Sequence, residues 1–308
     1  MSYDVIIIGG GAGGISAGCW CAELGLKALL LEAETQLGGQ LLRTHNAIKN
    51  HLGVEAENGR EMRDIFVRQT KNYNFSRRTN AEVSFADLEN KIVTLQTGES
   101  FSARALIIAT GIRRRKLGVA GETELKGKGI LESGKRDAEK VRDKNVCIVG
   151  GGDAALENAL ILSETARKVT LVHRRKDFRA RPEFLEKALQ NPSIEILTEA
   201  SVTKIIGHGK VEAVEIKNEN EIFILPVEAV LIRAGVEPNT ELFRGKLKLD
   251  ENGYIEIDSR CETSAENIFA VGDVANPLAP TISSAVGMGA TAAKVILDKL
   301  SDFLKDEG

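Results

Sequence analysis

Two glycine clusters have the spacing of a phosphate-binding turn. Gly9–Gly14 has the pattern G-x-G-x-x-G, and Gly150–Ala155 has G-x-G-x-x-A, its accepted variant. One glycine makes a tight turn, one lets backbone approach a pyrophosphate, and the last small residue lets a helix pack closely on a strand. Because a helix begins at the turn, its free N–H groups face the anion. Each cluster therefore predicts a dinucleotide site.

The residues that follow the two clusters differ in charge. Glu32 lies 23 residues after Gly9, where a carboxylate accepts hydrogen bonds from an adenosine ribose. His173 lies 23 residues after Gly150 and begins a basic run of His173, Arg174, Arg175 and Arg179. Guanidinium groups bind a ribose 2′-phosphate through paired hydrogen bonds. A basic run is also typical of a solvated surface, but its place after a second strand favours phosphate binding.

Short apolar runs place both clusters in βαβ units. Val5–Ile8 precedes the first cluster and Ala28–Leu31 ends at Glu32, while Val146–Val149 and Val169–Val172 have the same positions around the second. Such runs are typical of strands buried on both faces of a parallel sheet. The chain therefore repeats one unit, and we predict an α/β fold of two Rossmann-like, three-layer domains.

The later segments predict that the second domain is inserted in the first. A last strand at Ile268–Val271 and a closing helix at Ile282–Leu300 follow the second unit and belong to the first domain. A chain of 308 residues is long enough for about two domains. We predict a discontinuous first domain, 1–116 with 240–308, and a second domain at 117–239.

Composition and charge are those of an ordinary soluble globular chain. The sequence is 43% hydrophobic and 28% charged, with a formal net charge of −3. This balance gives no nucleic-acid footprint, and no stretch reaches 18 unbroken apolar residues. The apolar N-terminus lacks a basic segment and is explained by the first βαβ unit. We expect a cytoplasmic protein that binds neither nucleic acid nor membrane.

The four cysteines, Cys19, Cys21, Cys147 and Cys261, include no C-x-x-C pair. Cys19 and Cys21 lie two residues apart on a predicted helix, so their side chains point to nearly opposite faces and cannot form a disulfide without unwinding. Cys147 lies inside an apolar strand. We expect all four thiols to be inert, and we expect no metal site.

Seven motifs are spread along the chain: GGGAGG (Gly9–Gly14), GGQL (Gly38–Leu41), ATG (Ala109–Gly111), GGGDAALE (Gly150–Glu157), HRRKDFRA (His173–Ala180), AGVEPNT (Ala234–Thr240) and GDV (Gly272–Val274). As a set they resemble the low-molecular-weight thioredoxin reductases and their relatives, among them the thioredoxin-reductase-type ferredoxin–NADP reductases. The resemblance covers nearly the whole chain. It implies a homodimer that binds FAD in the first domain and NADPH in the second, with rotation of the second domain before hydride transfer.

The resemblance also implies which residues lie at each cofactor. Gly39, Gln40 and Asn50 would lie near the flavin, Val83 at the adenine, and Asp273 at the ribityl chain. An acid after a glycine at a strand end can itself accept from polyol hydroxyls, although a plain turn aspartate is the alternative. The residues expected at FAD are Gly9, Gly11, Ala12, Gly13, Gly14, Glu32, Ala33, Gly38, Gly39, Gln40, Leu41, Asn50, Val83, Ala109, Thr110, Gly111, Gly272, Asp273, Thr281 and Ile282. Those expected at NADPH are Gly150, Gly152, Asp153, Ala154, Glu157, His173, Arg174, Arg175, Arg179 and Gly235.

One segment departs from the family. Thioredoxin reductases carry a redox Cys-x-x-Cys-Asp shortly before the second glycine cluster, and at this place Ser133–Asp137 reads Ser-Gly-Lys-Arg-Asp. Serine has no accessible redox couple and arginine cannot be deprotonated, so no dithiol relays electrons here. Asp137 has no thiolate to protonate, and we expect it to be solvated or to cap a helix. A second departure is Pro280–Ile282, where the disulfide-type members carry Arg-Gln.

These features give a leading hypothesis and two alternatives. The leading one is an FAD-dependent NAD(P)H oxidoreductase that passes electrons to an external acceptor: a ferredoxin-like protein, a quinone or oxygen. Basic residues that would steer an acidic partner are Arg113–Lys116, Lys126, Lys128, Lys135 and Arg136. The first alternative is a reductase of a small disulfide or a thioredoxin-like partner, using Cys261 or the Cys19/Cys21 pair. The second is a non-catalytic flavin-binding module that senses redox state.

Overall fold

The computed structural model describes residues 2–306, and the side chains of residues 2–301. The chain forms two compact units: a first unit up to Arg113 and again from Glu237, and a second unit, Arg114–Val236. Each of the two boundaries between the units lies three residues before the one expected from the sequence.

The helices and strands follow one another in the order that the apolar runs predict. In chain order the strands are β1 (Ser2–Ile8), β2 (Ala28–Leu31), β3 (Ser76–Arg78), β4 (Val83–Asp87), β5 (Ile92–Leu95), β6 (Ser100–Ile108), β7 (Ile112–Arg114), β8 (Ile130–Leu131), β9 (Asn145–Val149), β10 (Lys168–Val172), β11 (Ile194–Leu197), β12 (Ser201–Ile206), β13 (Ala213–Lys217), β14 (Ile222–Pro226), β15 (Ala229–Ile232), β16 (Val236–Pro238) and β17 (Ile268–Ala270). The α-helices are α1 (Ala12–Glu23), α2 (Gly59–Gln69), α3 (Gly134–Asp137), α4 (Asp153–Ser163), α5 (Pro182–Gln190) and α6 (Ile282–Asp306).

The first unit is built on a mostly parallel sheet in the order β3-β2-β1-β6-β5-β4. Strand β17 pairs in parallel with the C-terminal half of β6, and β5 pairs antiparallel with its N-terminal half. In β1, Val5 and Ile7 face the core that holds α1 and α6, while Ile6 and Ile8 face a second core on the other side. Because both faces are covered, the strand is apolar at every inner position.

Helices α1 and α6 pack tightly on one face of this sheet. A Cβ on Gly289 would lie only 2.5 Å from the backbone oxygen of Gly13, so a glycine is needed at this crossing. Close to it, Ser16 Oγ donates to the backbone oxygen of Val286 at 2.7 Å. This contact fixes the start of both helices beside the carboxyl ends of the parallel strands.

The second unit contains a parallel sheet in the order β11-β10-β9-β15-β8 and a three-stranded antiparallel sheet of β12, β13 and β14. Strands β10 and β11 extend the parallel sheet on one side of β9, and β15 and β8 extend it on the other. The carboxyl ends of β9 and β15 therefore flank the point where the strand order reverses, which is where such sheets bind ligands. The α/β fold with an inserted second domain is confirmed.

Candidate cofactor sites

A cavity of about 740 Å³ lies in the first unit at the carboxyl ends of β1, β2, β6 and β17. This volume falls within the range of about 300–1,000 Å³ that is usual for ligand sites. Its lining includes every residue expected at FAD except Gly14 and Asn50. Asn50 is exposed, and Gly14 packs beneath the glycine turn. The structure thus gathers segments that are far apart in the chain around one cavity.

The glycine turn of this cavity is shaped by two close approaches. Gly9 has φ of 111°, and a Cβ there would lie 2.3 Å from the backbone oxygen of Ala109. A Cβ on Gly14 would lie 2.0 Å from the backbone oxygen of Gly9. Gly11, by contrast, precedes α1 with open space at its Cβ position, and no described side chain caps the helix there. The first N–H groups of α1 are therefore free to bind a phosphate.

Glu32 is held rigidly at the end of β2. Its side chain is 7% exposed, and Oε2 accepts from the backbone N–H of Gly10 at 2.7 Å. Oε1 accepts from the backbone N–H of Glu34 at 2.8 Å. Since a carboxylate oxygen has two lone pairs, each oxygen can still accept from a ribose hydroxyl.

The opposite end of the cavity is formed by Asp273 and the start of α6. Asp273 follows β17 and lines the cavity, and burial raises the pKa of its carboxyl. A half-buried acid to which the described residues offer no donor fits a polyol, whose hydroxyls would supply the missing hydrogen bonds. Thr281 Oγ1 accepts from the backbone N–H of Ser284 at 3.2 Å, so this threonine caps α6.

The cavity also includes residues that were not assigned to it from the sequence. Arg113 donates to Glu237 Oε1 at 2.9 Å and to Asn239 Oδ1 at 2.8 Å, and it also pairs with Glu241. Asn239 Nδ2 donates to the backbone oxygen of Thr110 at 2.7 Å. The sequence signals for these two residues were weak: Arg113 lies in the basic run Arg113–Lys116, and Asn239 lies in the motif AGVEPNT. The expectation that Arg113 steers an acidic partner is wrong, because these internal acids neutralise it.

The second glycine turn repeats the first. Gly150 has φ of 152°, and a Cβ there would lie 2.3 Å from the backbone oxygen of Arg233. Helix α4 begins directly after Gly152, again without a described side chain capping it. The acid at its first position, Asp153, accepts from the backbone N–H of Arg181 at 2.7 Å and from its Nε at 3.0 Å. The pairing with Arg181 offsets the negative charge that Asp153 brings to the N-terminus of this helix.

The basic run lies beside this turn. The His173 ring is buried and occupies the space next to Gly151, where a Cβ would come within 2.2 Å of it. Arg179 donates its backbone N–H to the backbone oxygen of Gly151 at 3.0 Å. The side chains of Arg174, Arg175 and Arg179 are exposed. The glycine turn and three exposed guanidinium side chains therefore lie together at the carboxyl ends of β9 and β10.

Comparison with known proteins agrees with this geometry. The family of pyridine nucleotide-disulphide oxidoreductases matches residues 3–289. The chain belongs to this family. The thioredoxin reductase of Mycolicibacterium smegmatis is 37% identical over 296 residues, which cover 94% of each chain. That of Streptomyces coelicolor is 34% identical over 99% of this chain and 97% of its own.

Solved structures of relatives have the same architecture. Thioredoxin reductase from Lactococcus lactis superposes with a TM-score of 0.84 at 30% identity, covering 97% of this chain and 99% of that one. The bacillithiol disulfide reductase Bdr from Bacillus cereus gives a TM-score of 0.80 at 20% identity, with 97% and 100% covered, which shows a shared fold alone. This family member is thus an oxidoreductase that uses FAD and NADPH, and the two glycine turns fit these groups. Among the described residues, no helix meets the length and apolarity needed to cross a membrane, and no metal-ligand cluster is found.

In the segment Ser133–Asp137, where the resemblance leads one to expect a redox dithiol, this family member has a buried cluster of hydrogen bonds. Asp137 is 1% exposed, and its Oδ2 accepts from the backbone N–H groups of Glu132 and Ser133 at 2.9 and 3.1 Å. Its Oδ1 accepts from Arg136 Nε at 3.1 Å and Lys140 Nζ at 2.8 Å. Burial alone would raise the pKa of Asp137, but these donors hold it well below its usual range. Of the two roles expected for Asp137, the solvated one is wrong, because protein donors replace its water. The capping role agrees with the structure, since the carboxylate accepts from the backbone N–H groups of Glu132 and Ser133 directly before α3. Arg136 is likewise paired internally.

No cysteine is poised for redox work. Cys21, Cys147 and Cys261 are buried, Cys19 is half-buried, and all four are free. Burial raises the pKa of Cys19 and Cys261 to about 11, and that of Cys21 and Cys147 to about 12. At neutral pH these groups are thiols rather than the thiolates that attack disulfides.

Proposed function

We propose that this oxidoreductase transfers electrons from NADPH to an external acceptor without an internal dithiol. FAD would occupy the first unit's cavity, and NADPH the carboxyl edge of the second unit's parallel sheet. FAD supplies the redox chemistry, taking two electrons from the nicotinamide and releasing them to the acceptor. The observation that carries the proposal is the segment Ser133–Asp137, which holds no sulfur and is closed by hydrogen bonds.

In the first unit we assign three roles. The free N–H groups at the start of α1 would hold the pyrophosphate, Glu32 the adenosine ribose, and Asp273 the ribityl hydroxyls. Replacing Asp273 by asparagine should weaken FAD retention, measured as flavin absorbance per protein after gel filtration. The Asp64→Asn variant changes an exposed aspartate of α2 and is the matched control. Equal flavin content in both variants would contradict the assignment of Asp273.

In the second unit we assign the donor to NADPH rather than NADH. The exposed guanidinium groups of Arg174 and Arg175 would bind the 2′-phosphate, which NADH lacks. The double variant Arg174→Ala, Arg175→Ala should raise the NADPH concentration for half-maximal flavin reduction at least about ten-fold and leave that for NADH unchanged. Anaerobic stopped-flow absorbance measures both. Lys217→Ala, an exposed cation on β13, is the matched control. Equal losses with both donors would refute the assignment.

The acceptor is a group that the reduced flavin can reach without a thiol relay. We infer a ferredoxin-like protein, a quinone or oxygen. The test is to reduce the holoenzyme with NADPH and mix it with each of these, with thioredoxin and with small disulfides, following reoxidation of the flavin. Rapid reoxidation by a non-dithiol acceptor is expected. If thioredoxin alone reoxidises the flavin, the proposal fails.

A second candidate is a disulfide reductase, which the similarity to thioredoxin reductases favours. It requires a working thiol in this chain, and all four have raised pKa values. A variant with all four cysteines changed to alanine should retain turnover with the acceptor found in the screen. Loss of turnover with flavin content intact would favour the disulfide reductase. Family membership as an oxidoreductase leaves no support for the non-catalytic module.

We also propose that the enzyme works as a homodimer, as the resemblance implies. The polypeptide mass is 33.3 kDa, so light scattering on the FAD-loaded protein should give about twice that value. A mass that stays at one chain at micromolar concentration would contradict the proposal.

A further inference from the structure

Arg233 is the one buried lysine or arginine among the described residues, with 7% of its surface exposed. It follows β15 directly. Its Nη1 donates to the backbone oxygen of Ile232 at 2.9 Å, and its Nη2 donates to that of Glu132 at 2.8 Å. In the described chain its Nε is the one buried side-chain nitrogen or oxygen that has no hydrogen-bond partner. The guanidinium therefore links the ends of β15 and β8 and is still short of one acceptor.

The charge of Arg233 is only partly compensated. Burial, together with the guanidinium of Arg114, lowers its pKa to about 10, which leaves it protonated at neutral pH. Asp137 and Glu157 attract it through space, yet within the described residues no carboxylate forms an ion pair with it. Asp137 already accepts from backbone N–H groups, Arg136 and Lys140. Arg233 is therefore a buried cation whose positive charge its neighbours compensate only in part.

This cation lies at the point where the strand order reverses. In such sheets the pyrophosphate lies at the glycine turn and the dinucleotide crosses the carboxyl ends of the strands. The basic run after β10 marks the adenosine side, so the nicotinamide half belongs on the side of β15 and β8. Arg233 is on that side, and its backbone oxygen is 2.3 Å from a Cβ built on Gly150.

We propose that Arg233 is a specificity-determining residue that makes the site favour the reduced over the oxidised nicotinamide. The proposal rests on the placement of NADPH in the second unit. The oxidised ring carries a positive charge that the reduced ring lacks, and a neighbouring guanidinium in a poorly solvated environment repels it. The product NADP⁺ is therefore released once the hydride has gone, and it inhibits the enzyme weakly.

Calorimetric titration of the oxidised, FAD-loaded enzyme tests this with three ligands. They are NADP⁺, 1,4,5,6-tetrahydro-NADP, whose ring is neutral and does not reduce flavin, and 2′,5′-ADP, which has no nicotinamide. Wild type should bind the tetrahydro ligand at least about five-fold more tightly than NADP⁺. In Arg233→Met this ratio should fall toward one, mainly through tighter binding of NADP⁺. Arg233→Lys retains the charge and should retain the ratio, and 2′,5′-ADP should bind all three proteins equally.

The outcomes separate electrostatic from structural roles. If the guanidinium only joins β15 to β8, replacing Arg233 would change the affinities for all three ligands by the same factor. The ratio of affinities would then stay unchanged, which would overturn the proposal. Equal affinity of wild type for NADP⁺ and the tetrahydro ligand would overturn it without any variant. Failure of 2′,5′-ADP to bind wild type would instead show that the nucleotide site itself is misplaced. An apolar replacement of a buried charge is often tolerated, and circular dichroism with flavin content checks the fold.

Discussion

Replacing Asp137 by asparagine should make the second unit open more often. The carboxylate accepts two backbone N–H groups and an Nη2–H of Arg136 on Oδ2, and it accepts Arg136 Nε and Lys140 Nζ on Oδ1. Asparagine has the same shape but no charge, and its NH₂ group must replace one of the two oxygens. Either the N–H groups of Glu132 and Ser133 or the two cations then face a donor instead of an acceptor.

The structure sets the size of this effect. A hydrogen bond to a charged group contributes about 1.5–3 kcal/mol, and removing one partner of a buried pair costs about 3–5 kcal/mol. The side chains of Arg136 and Lys140 are 40% and 68% exposed, so water solvates them once they lose Asp137, and the lower end applies. We expect the free energy of opening of the second unit to fall by about 3 kcal/mol, which is about a 150-fold larger open population.

Cys147 reports this opening. It lies in the central strand β9 with 0% exposure, and the other three cysteines belong to the first unit. When reclosing is faster than chemistry, the rate of alkylation follows the population of the open form. Iodoacetamide labelling followed by mass spectrometry should therefore modify Cys147 about 150-fold faster in Asp137→Asn than in wild type. Labelling of Cys261, in the first unit, should not change.

Glu139→Gln is the matched control, because Glu139 is an exposed carboxylate two residues further along the chain that pairs with Arg142. It should leave Cys147 labelling within about two-fold of wild type, since exposed pairs contribute little. An acceleration below about three-fold in Asp137→Asn would refute the view that Asp137 holds the second unit together. Equal acceleration at Cys261 would instead mean that the whole chain unfolds as one.

Three further predictions follow from the same contacts. The pKa of Asp137 in the folded protein lies below the ordinary value of 3.8, so its contribution to stability is complete above that value and is lost as pH falls through the folded pKa. The difference in urea midpoint between wild type and Asp137→Asn should therefore stay constant from about pH 7 to 5 and narrow below about pH 4. Gly289→Ala should cost about 1–3 kcal/mol, because its Cβ meets the backbone oxygen of Gly13, whereas Gly287→Ala in the same helix meets nothing and should not lower the melting temperature. Arg113→Met should lower the stability of the first unit by about 1–2 kcal/mol, seen as flavin release at lower urea, with a smaller difference at high salt.

The parts of the molecule that sequence reasoning reached are those set by local patterns. The strand at Val5–Ile8, the turn that begins at Gly9 and the acid at Glu32 follow one another within a single βαβ unit. Their spacing is dictated by the geometry of strand, turn and helix, which is the same in every such unit. Much of the lining of the first cavity was named from the family resemblance, and the structure brings these residues together because β1, β2, β6 and β17 end at one edge of the sheet.

The side chains that sequence reasoning placed wrongly depend on partners distant in the chain or on burial. Arg113 was assigned to a partner surface, yet its acids come from a segment more than a hundred residues later. Asp137 was expected to be solvated or to cap a helix because the segment holds no thiolate for it to protonate. Its burial follows from the way α3 folds back on the end of β8, which no periodicity reveals. Arg233 was not singled out from the sequence, because a lone arginine after an apolar strand gives no signal of burial.

Taken together, Asp137 and Arg233 give a physical reason to look for the electron acceptor at the flavin. An enzyme that relays electrons through a dithiol needs a thiolate and a proton donor in this segment, Ser133–Asp137. Here Asp137 is ionised and held by four donor groups, so it has no proton to give, and Arg233 ties the backbone of Glu132 to the end of β15. An acid with a strongly lowered pKa is a poor general acid at neutral pH. The segment is held by hydrogen bonds and carries a fixed charge, which supports our proposal that reducing equivalents leave from the flavin itself.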